Sequence, residues 1–180
     1  MGDIVVGTCG YGYYRPPEGW KQRYESKLQA FSHVFPAVEL NRTFYKLPMV
    51  RTARRWRQET VDDFVFTMKA WQALTHPSSS PTWRRHRDGL TRRQQDCFGY
   101  LRCNDEVMQA WQETRERAEA LGAPVCVLQT PGSFDCTDEH EEQMRELLTA
   151  VERNGIELAW EPRGDWTQHP RRVQSICDDL

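Results

Sequence analysis

No apolar run in this 180-residue chain approaches the roughly 20 residues that a membrane-spanning helix needs. The start, MGDIVVGTCG, has neither the basic segment nor the long apolar stretch of a secretion signal. A cytoplasmic protein with no membrane partner is therefore expected. The six cysteines, Cys9, Cys97, Cys103, Cys126, Cys136 and Cys177, contain no C-x-x-C pair. That spacing argues against a zinc ribbon, a thioredoxin-type redox pair and a dense disulfide framework, and predicts mostly buried thiols. Internal repeats and low-complexity stretches are missing too, and a single domain over residues 1–180 is expected.

Charge of one sign is scarce overall, with 24 Lys and Arg against 26 Asp and Glu, but its distribution is uneven. Residues 1–103 hold 17 basic and 9 acidic residues, whereas residues 104–180 hold 7 and 17. The basic excess concentrates in Arg51, Arg54, Arg55 and Arg57, and again in Arg84, Arg85, Arg87, Arg92 and Arg93. Arginine clusters meet phosphates, and Trp56 and Trp83 beside them are placed to stack on bases. A solvated helix face and a solvated loop explain the same runs. The near balance of charge over the whole chain falls short of a dedicated nucleic-acid binder.

Short β-branched or apolar runs at Ile4 to Val6, Ala37 to Leu40, Phe64 to Met68, Val125 to Leu128 and Glu157 to Trp160 alternate with segments of helical spacing. Trp20, Tyr24, Leu28 and Phe31 give one apolar stripe; Val107, Trp111, Ala118 and Leu121 give another that stops at Gly122. Thr137 reads as the N-cap of a helix carrying Met144, Leu147, Leu148 and Val151, and Pro170 as the first turn of a last helix. Strand and helix alternate five times, which predicts an α/β fold with a parallel sheet and right-handed crossovers. His76 to Gln95, rich in Ser, Pro and Arg, reads as a long loop.

Alternation along the strands predicts a pocket. Phe64, Phe66 and Met68 share one face, Val65, Thr67 and Lys69 the other. With the bulky faces on the helices, Glu39, Asn41, Lys69, Gln129 and Glu161 converge at the carboxyl ends of the strands, where parallel α/β folds place active sites. A self-satisfied polar plug, with Lys69 bridging Glu39 and Glu161, is the alternative, since buried ionisable groups must pair or bind something.

The stretches VGTCGYGYY, FPAVELNRTFYKLP, FVFTMKAWQALTH, VLQTP and LAWEPRGDW resemble successive motifs of the YecE-like family, domain of unknown function 72. The resemblance runs from about Val5 to the C-terminus and is most specific in the block Glu39 to Tyr45. It implies a TIM-barrel-like fold without a generally assigned activity. Carried over position by position, the motif residues are Gly7, Thr8, Gly10, Tyr11, Glu39, Asn41, Thr43, Phe44, Tyr45, Lys69, Thr75, His76, Gln129, Pro131, Glu161 and Arg163. Family members run to about 250 residues, so this chain is expected to be a barrel truncated to about five β/α units, with oligomers a consequence if the barrel is incomplete.

For chemistry, Glu39 is the candidate general base and Lys69 the electrostatic clamp, with Glu161 the second catalytic carboxylate. Gly10, Tyr11, Asn41, Tyr45, His76, Gln129 and Arg163 are candidate ligand-binding residues. Lys69 as a Schiff-base lysine, and His76 as a proton shuttle, a metal ligand or merely a structural residue, stay open. So does one divalent metal held by Glu39 and Glu161; too few ligands are present for a trinuclear site. Three functional classes compete: an enzyme, hydrolase or lyase, acting on a phosphorylated or nucleic-acid-derived ligand; a non-catalytic nucleic-acid-binding module; and a barrel remnant stabilised by a partner chain.

Overall fold

Five parallel strands pair in chain order, β1-β2-β3-β4-β5. They are β1 Thr8–Cys9, β2 Ala37–Leu40, β3 Val65–Lys69, β4 Val125–Gln129 and β5 Glu157–Glu161. Strictly sequential order is the order of a (β/α) barrel wall; a doubly wound sheet would reverse at a switch point. The computed structural model describes residues 4–180. Helices α1 Lys27–Ser32, α2 Arg42–Tyr45, α3 Val50–Glu59, α4 Gln72–Thr75, α5 Arg92–Cys97, α6 Asp105–Leu121, α7 Asp138–Ala150 and α8 Pro170–Asp179 fill the connections. None of them is long and apolar enough to cross a membrane.

The helix ends follow the side chains that cap them. Thr137 accepts the His140 N–H at 3.2 Å to start α7, Asn104 accepts from Val107 at 2.9 Å to start α6, and Gly122 ends α6 at φ 62°. Pro170 opens α8. Thr137, Asn104 and Gly122 each pair backbone groups that a helix terminus leaves free, whereas Pro170 lacks the N–H that would be unpaired there.

Strand parity holds throughout. Val38, Phe66, Met68, Cys126 and Leu128 are at most 1% exposed and meet the helices. The alternate residues Glu39, Thr67, Lys69, Val127 and Gln129 are only half-buried, because no layer covers that face among the described residues. Arg57 on α3 reaches past the sheet entrance to donate to the carbonyls of Phe64, at 2.5 Å, and Val61, tying helix to strand.

Four expectations need correction. The first strand is Thr8–Cys9, not Ile4 to Val6: β2 begins after Pro36, so Ile4 to Val6 have no strand opposite them and stay exposed. The Trp20 to Phe31 stripe breaks into a 3₁₀ turn at Trp20–Gln22 and the short α1. The expected loop from His76 contains two 3₁₀ turns and the start of α5, held by Trp83, Phe98 and Trp71 packed ring on ring. Only Cys126 is a fully buried thiol, pushed up to about 12 by that burial; Cys97, Cys103 and Cys136 are half-buried, and Cys9 and Cys177 exposed.

Candidate functional site

The carboxyl ends of β3, β4 and β5 carry a charged cluster. Lys69 ends β3, and its Nζ donates to Gln129 Oε1 at 2.5 Å and to Glu161 Oε2 at 2.9 Å. Arg163 donates to the other Glu161 oxygen at 2.9 Å. One carboxylate thus joins two cations, leaving an excess of positive charge. Burial alone would raise the Glu161 pKa, but hydrogen bonds from Lys69 and Arg163 outweigh it and hold the carboxyl below its usual range.

His76 is the buried member of the cluster, 4% exposed. Its Nδ1 lies 2.8 Å from Thr75 Oγ1, and its ring meets Phe44 edge to face at 4.8 Å. Burial first, then the positive charges of Arg163 and Lys69, lower its pKa to about 4. The imidazole is therefore neutral at pH 7, facing two cations.

Backbone features fix these groups. Thr43 Oγ1 sits 2.5 Å from Leu40 O and 2.7 Å from Lys69 O, so its single proton is shared between the ends of β2 and β3. Behind His76, the segment after α5 docks on α4 through Gly99 N–H to Ala73 O, Tyr100 N–H to Thr75 O and Leu101 N–H to Leu74 O. Gly99, at φ 89°, has no room for a side chain: a Cβ there would fall 2.2 Å from Pro77 N. Gly164, at φ 74°, brings the loop after β5 against Gly132 O in the loop after β4 and so places Arg163 at the rim.

Two polar atoms beside α2 are buried without partners. Asn41 Oδ1 and Gln72 Oε1 are buried with no hydrogen-bond partner. Both flank α2, since Asn41 precedes it and Gln72 Nε2 reaches Tyr45 O at 3.5 Å. A buried acceptor left unpaired is destabilising until a donor arrives.

The profile of a family described as "Protein of unknown function DUF72" matches residues 5–178. The chain belongs to the DUF72 family. The UPF0759 protein YunF of Bacillus subtilis strain 168 is 38% identical over 72 residues, which are 40% of this chain and 26% of YunF. The UPF0759 protein YecE of Escherichia coli K12 is 34% identical over 71 residues, 39% of this chain and 25% of YecE. In structure, the chain is similar to a DUF72 family protein from Enterococcus faecalis V583, with a TM-score of 0.58 at 16% identity, covering 96% of this chain and 56% of that one. The matched regions thus span about a quarter of the curated relatives and little more than half of the solved DUF72 chain.

Of the residues expected in the site, Lys69, Gln129, Glu161, Arg163 and His76 are brought together. Glu39 lies on the same sheet face, across from Thr67 and one step below Lys69. It makes no ion pair among the described residues; Lys69 leans to β4 and β5 and does not bridge to it. Asn41 precedes α2, and Tyr45 at its end is exposed. Gly10 turns the chain after β1 at φ 84°. Tyr11 lies elsewhere: its ring tilts against Phe31 at 6.0 Å, and burial, then Glu59, raises its pKa.

No group of three or more His, Cys, Asp or Glu gathers as a metal site among the described residues. Both Glu161 oxygens are occupied by Lys69 and Arg163, so the expected Glu39 and Glu161 metal pair would need those bonds broken. Trp83 is 1% exposed and stacked on Phe98, which removes it from any base-stacking role. Gln72 was not singled out, its signal being a glutamine amid the otherwise apolar run AWQAL, whereas Thr75 was carried over as a motif position.

Proposed function

We propose that this DUF72 chain is an enzyme of the cytosol that takes a small phosphorylated ligand, such as a sugar phosphate or a nucleotide, at the carboxyl ends of β2 to β5. The observation that carries the reading is the excess of positive charge where Lys69 and Arg163 share one carboxylate beside neutral His76. A phosphate on the two cations would complete the charge balance, with Arg163 able to present two N–H groups to it.

Proton transfer then has two candidate bases. The arriving phosphate offsets Lys69 and Arg163, the same charges that depress His76, so His76 gains proton affinity only when the site is filled. Glu39 supplies a carboxylate deeper on the face, as general base for hydrolysis or elimination. Free, unpaired cysteines suit a reducing compartment.

The test is phosphate binding followed by ³¹P NMR, with turnover of a sugar-phosphate panel. Lys69→Met and Arg163→Met should each weaken phosphate at least about tenfold with the thermal midpoint nearly kept, whereas His76→Gln and Glu39→Gln should bind but turn over poorly. Equal phosphate affinity in the wild type and both cation variants would sink the proposal.

A second reading, contact with a nucleic-acid strand, is favoured by Arg84, Arg85 and Arg87, which are exposed and make no ion pair among the described residues. Arg92 and Arg93 are already paired, to Asp96 at 3.3 Å and to Asp105 at 3.2 Å. An affinity for single strands that ignores salt between about 50 and 200 mM would exclude this reading.

A further inference from the structure

Three residues in a row take left-handed backbone conformations: Gly99 at φ 89°, Tyr100 at φ 58° and Leu101 at φ 52°. Arg102 N–H bonds Gly99 O at 3.4 Å, which closes one left-handed turn. L residues enter this region singly, and chiefly as Gly or Asn, because Cβ crowds the following carbonyl. Tyr and Leu side by side in it are strained, and such strain persists only where surrounding contacts over-determine it.

The end of α4 supplies those contacts. Gly99, Tyr100 and Leu101 donate their N–H groups to Ala73 O, Thr75 O and Leu74 O at 2.9, 3.0 and 2.9 Å. With His76 N–H on Gln72 O at 2.8 Å, every carbonyl of that short helix is paired. A single helical turn is unstable alone, so the left-handed turn fixes where α4 stops and His76 begins. The Leu101 side chain is fully buried.

The Tyr100 side chain reaches a different loop. Its hydroxyl donates to Ser133 Oγ at 3.1 Å, and its ring lies 6.2 Å from that of Phe134. Ser133 and Phe134 belong to the loop after β4, which is bonded to the segment that follows Arg163. There Cys136 N–H donates to Asp165 Oδ1 at 2.7 Å, and Trp166 Nε1 to Phe134 O at 2.6 Å. Resting on the phosphate site proposed above, we infer that Tyr100 is a positioning residue, its left-handed backbone holding His76 and its side chain holding the loop that seats Arg163. The separation of imidazole and guanidinium is then set by one residue spanning two loops as well as by the strands.

Substitutions at Tyr100 separate its backbone from its side chain. Tyr100→Gly removes the ring but accepts φ 58°, whereas Tyr100→Val removes it and, being β-branched, resists that conformation. Followed by NMR in the ligand-free chain, His76 should titrate near 4 in the wild type and in Tyr100→Gly. In Tyr100→Val it should move up toward its ordinary 6.5, as water reaches the ring beside Lys69 and Arg163. Tyr100→Ala should lie between them, so a Tyr100→Val chain that fails to fold leaves the comparison standing. Tyr100→Phe, which keeps ring and backbone, should hold the thermal midpoint to within about 3 °C and weaken inorganic phosphate about threefold to tenfold. Ser133→Ala should match it, and the double substitution should bind no more weakly than either alone. His76 titrating alike in the Gly, Ala and Val variants, or phosphate held equally well by wild type and Tyr100→Phe, would overturn the inference. A wild type that binds no phosphate would overturn the proposed function instead, and the His76 comparison then decides the role of Tyr100.

Discussion

The two faces of the sheet are made from alternate residues of the same strands, yet they obey different physics. Toward the helices, Phe66 and Met68 are fully buried and only shape and volume matter. Toward the uncovered side, Thr67 and Lys69 are half-buried, and what matters is whether each polar atom has a partner. A strand can therefore carry a core and a site at once, separated by one residue of register.

The largest expected effect is on the helix face: Phe66→Ala should cost about 3 to 5 kcal/mol, read by chemical denaturation, because the surrounding rings cannot close the cavity. An acid effect of about 3 kcal/mol comes next, from His76. Its folded pKa, about 4, lies below the usual 6.5, so the unfolded chain binds the proton first. Its contribution is full above pH 6.5 and is lost as the pH falls toward 4. Replacing it in His76→Gln should flatten the stability profile across that window; an unchanged slope would place the imidazole in water. Thr43→Val removes the hydroxyl shared by Leu40 O and Lys69 O and should cost about 1 to 2 kcal/mol, with Lys69 less well held and phosphate binding weakened. The smallest effect is expected for Thr67→Ala on the uncovered face, within about 0.5 kcal/mol. Were Thr67→Ala as damaging as Phe66→Ala, the two faces would not differ in the way described.

Much of the fold was legible because parity and capping are local. Beta-branched alternation located four of the five strands, and Thr137, Gly122 and Pro170 marked helix ends that the structure reproduces. Ile4 to Val6 misled for a non-local reason, since strand propensity needs a partner strand and β2 starts after Pro36. The region after His76 misled similarly: its Ser, Pro and Arg content reads as loop, while Trp83 and Phe98 order it by contacts with Trp71 across the sequence.

By itself the sequence determined which residues line each face of the strands, where the main helices begin and end, and that Lys69, Gln129 and Glu161 share the carboxyl ends of the sheet, because these follow from period and from backbone chemistry a few residues long. Only the tertiary structure decided that Lys69 turns to Glu161 and away from Glu39, that Arg163 completes the pair, that His76 is neutral and that Tyr11 packs on Phe31. Those outcomes depend on distances between segments tens of residues apart, and electrostatic energy depends on distance and burial rather than on order along the chain.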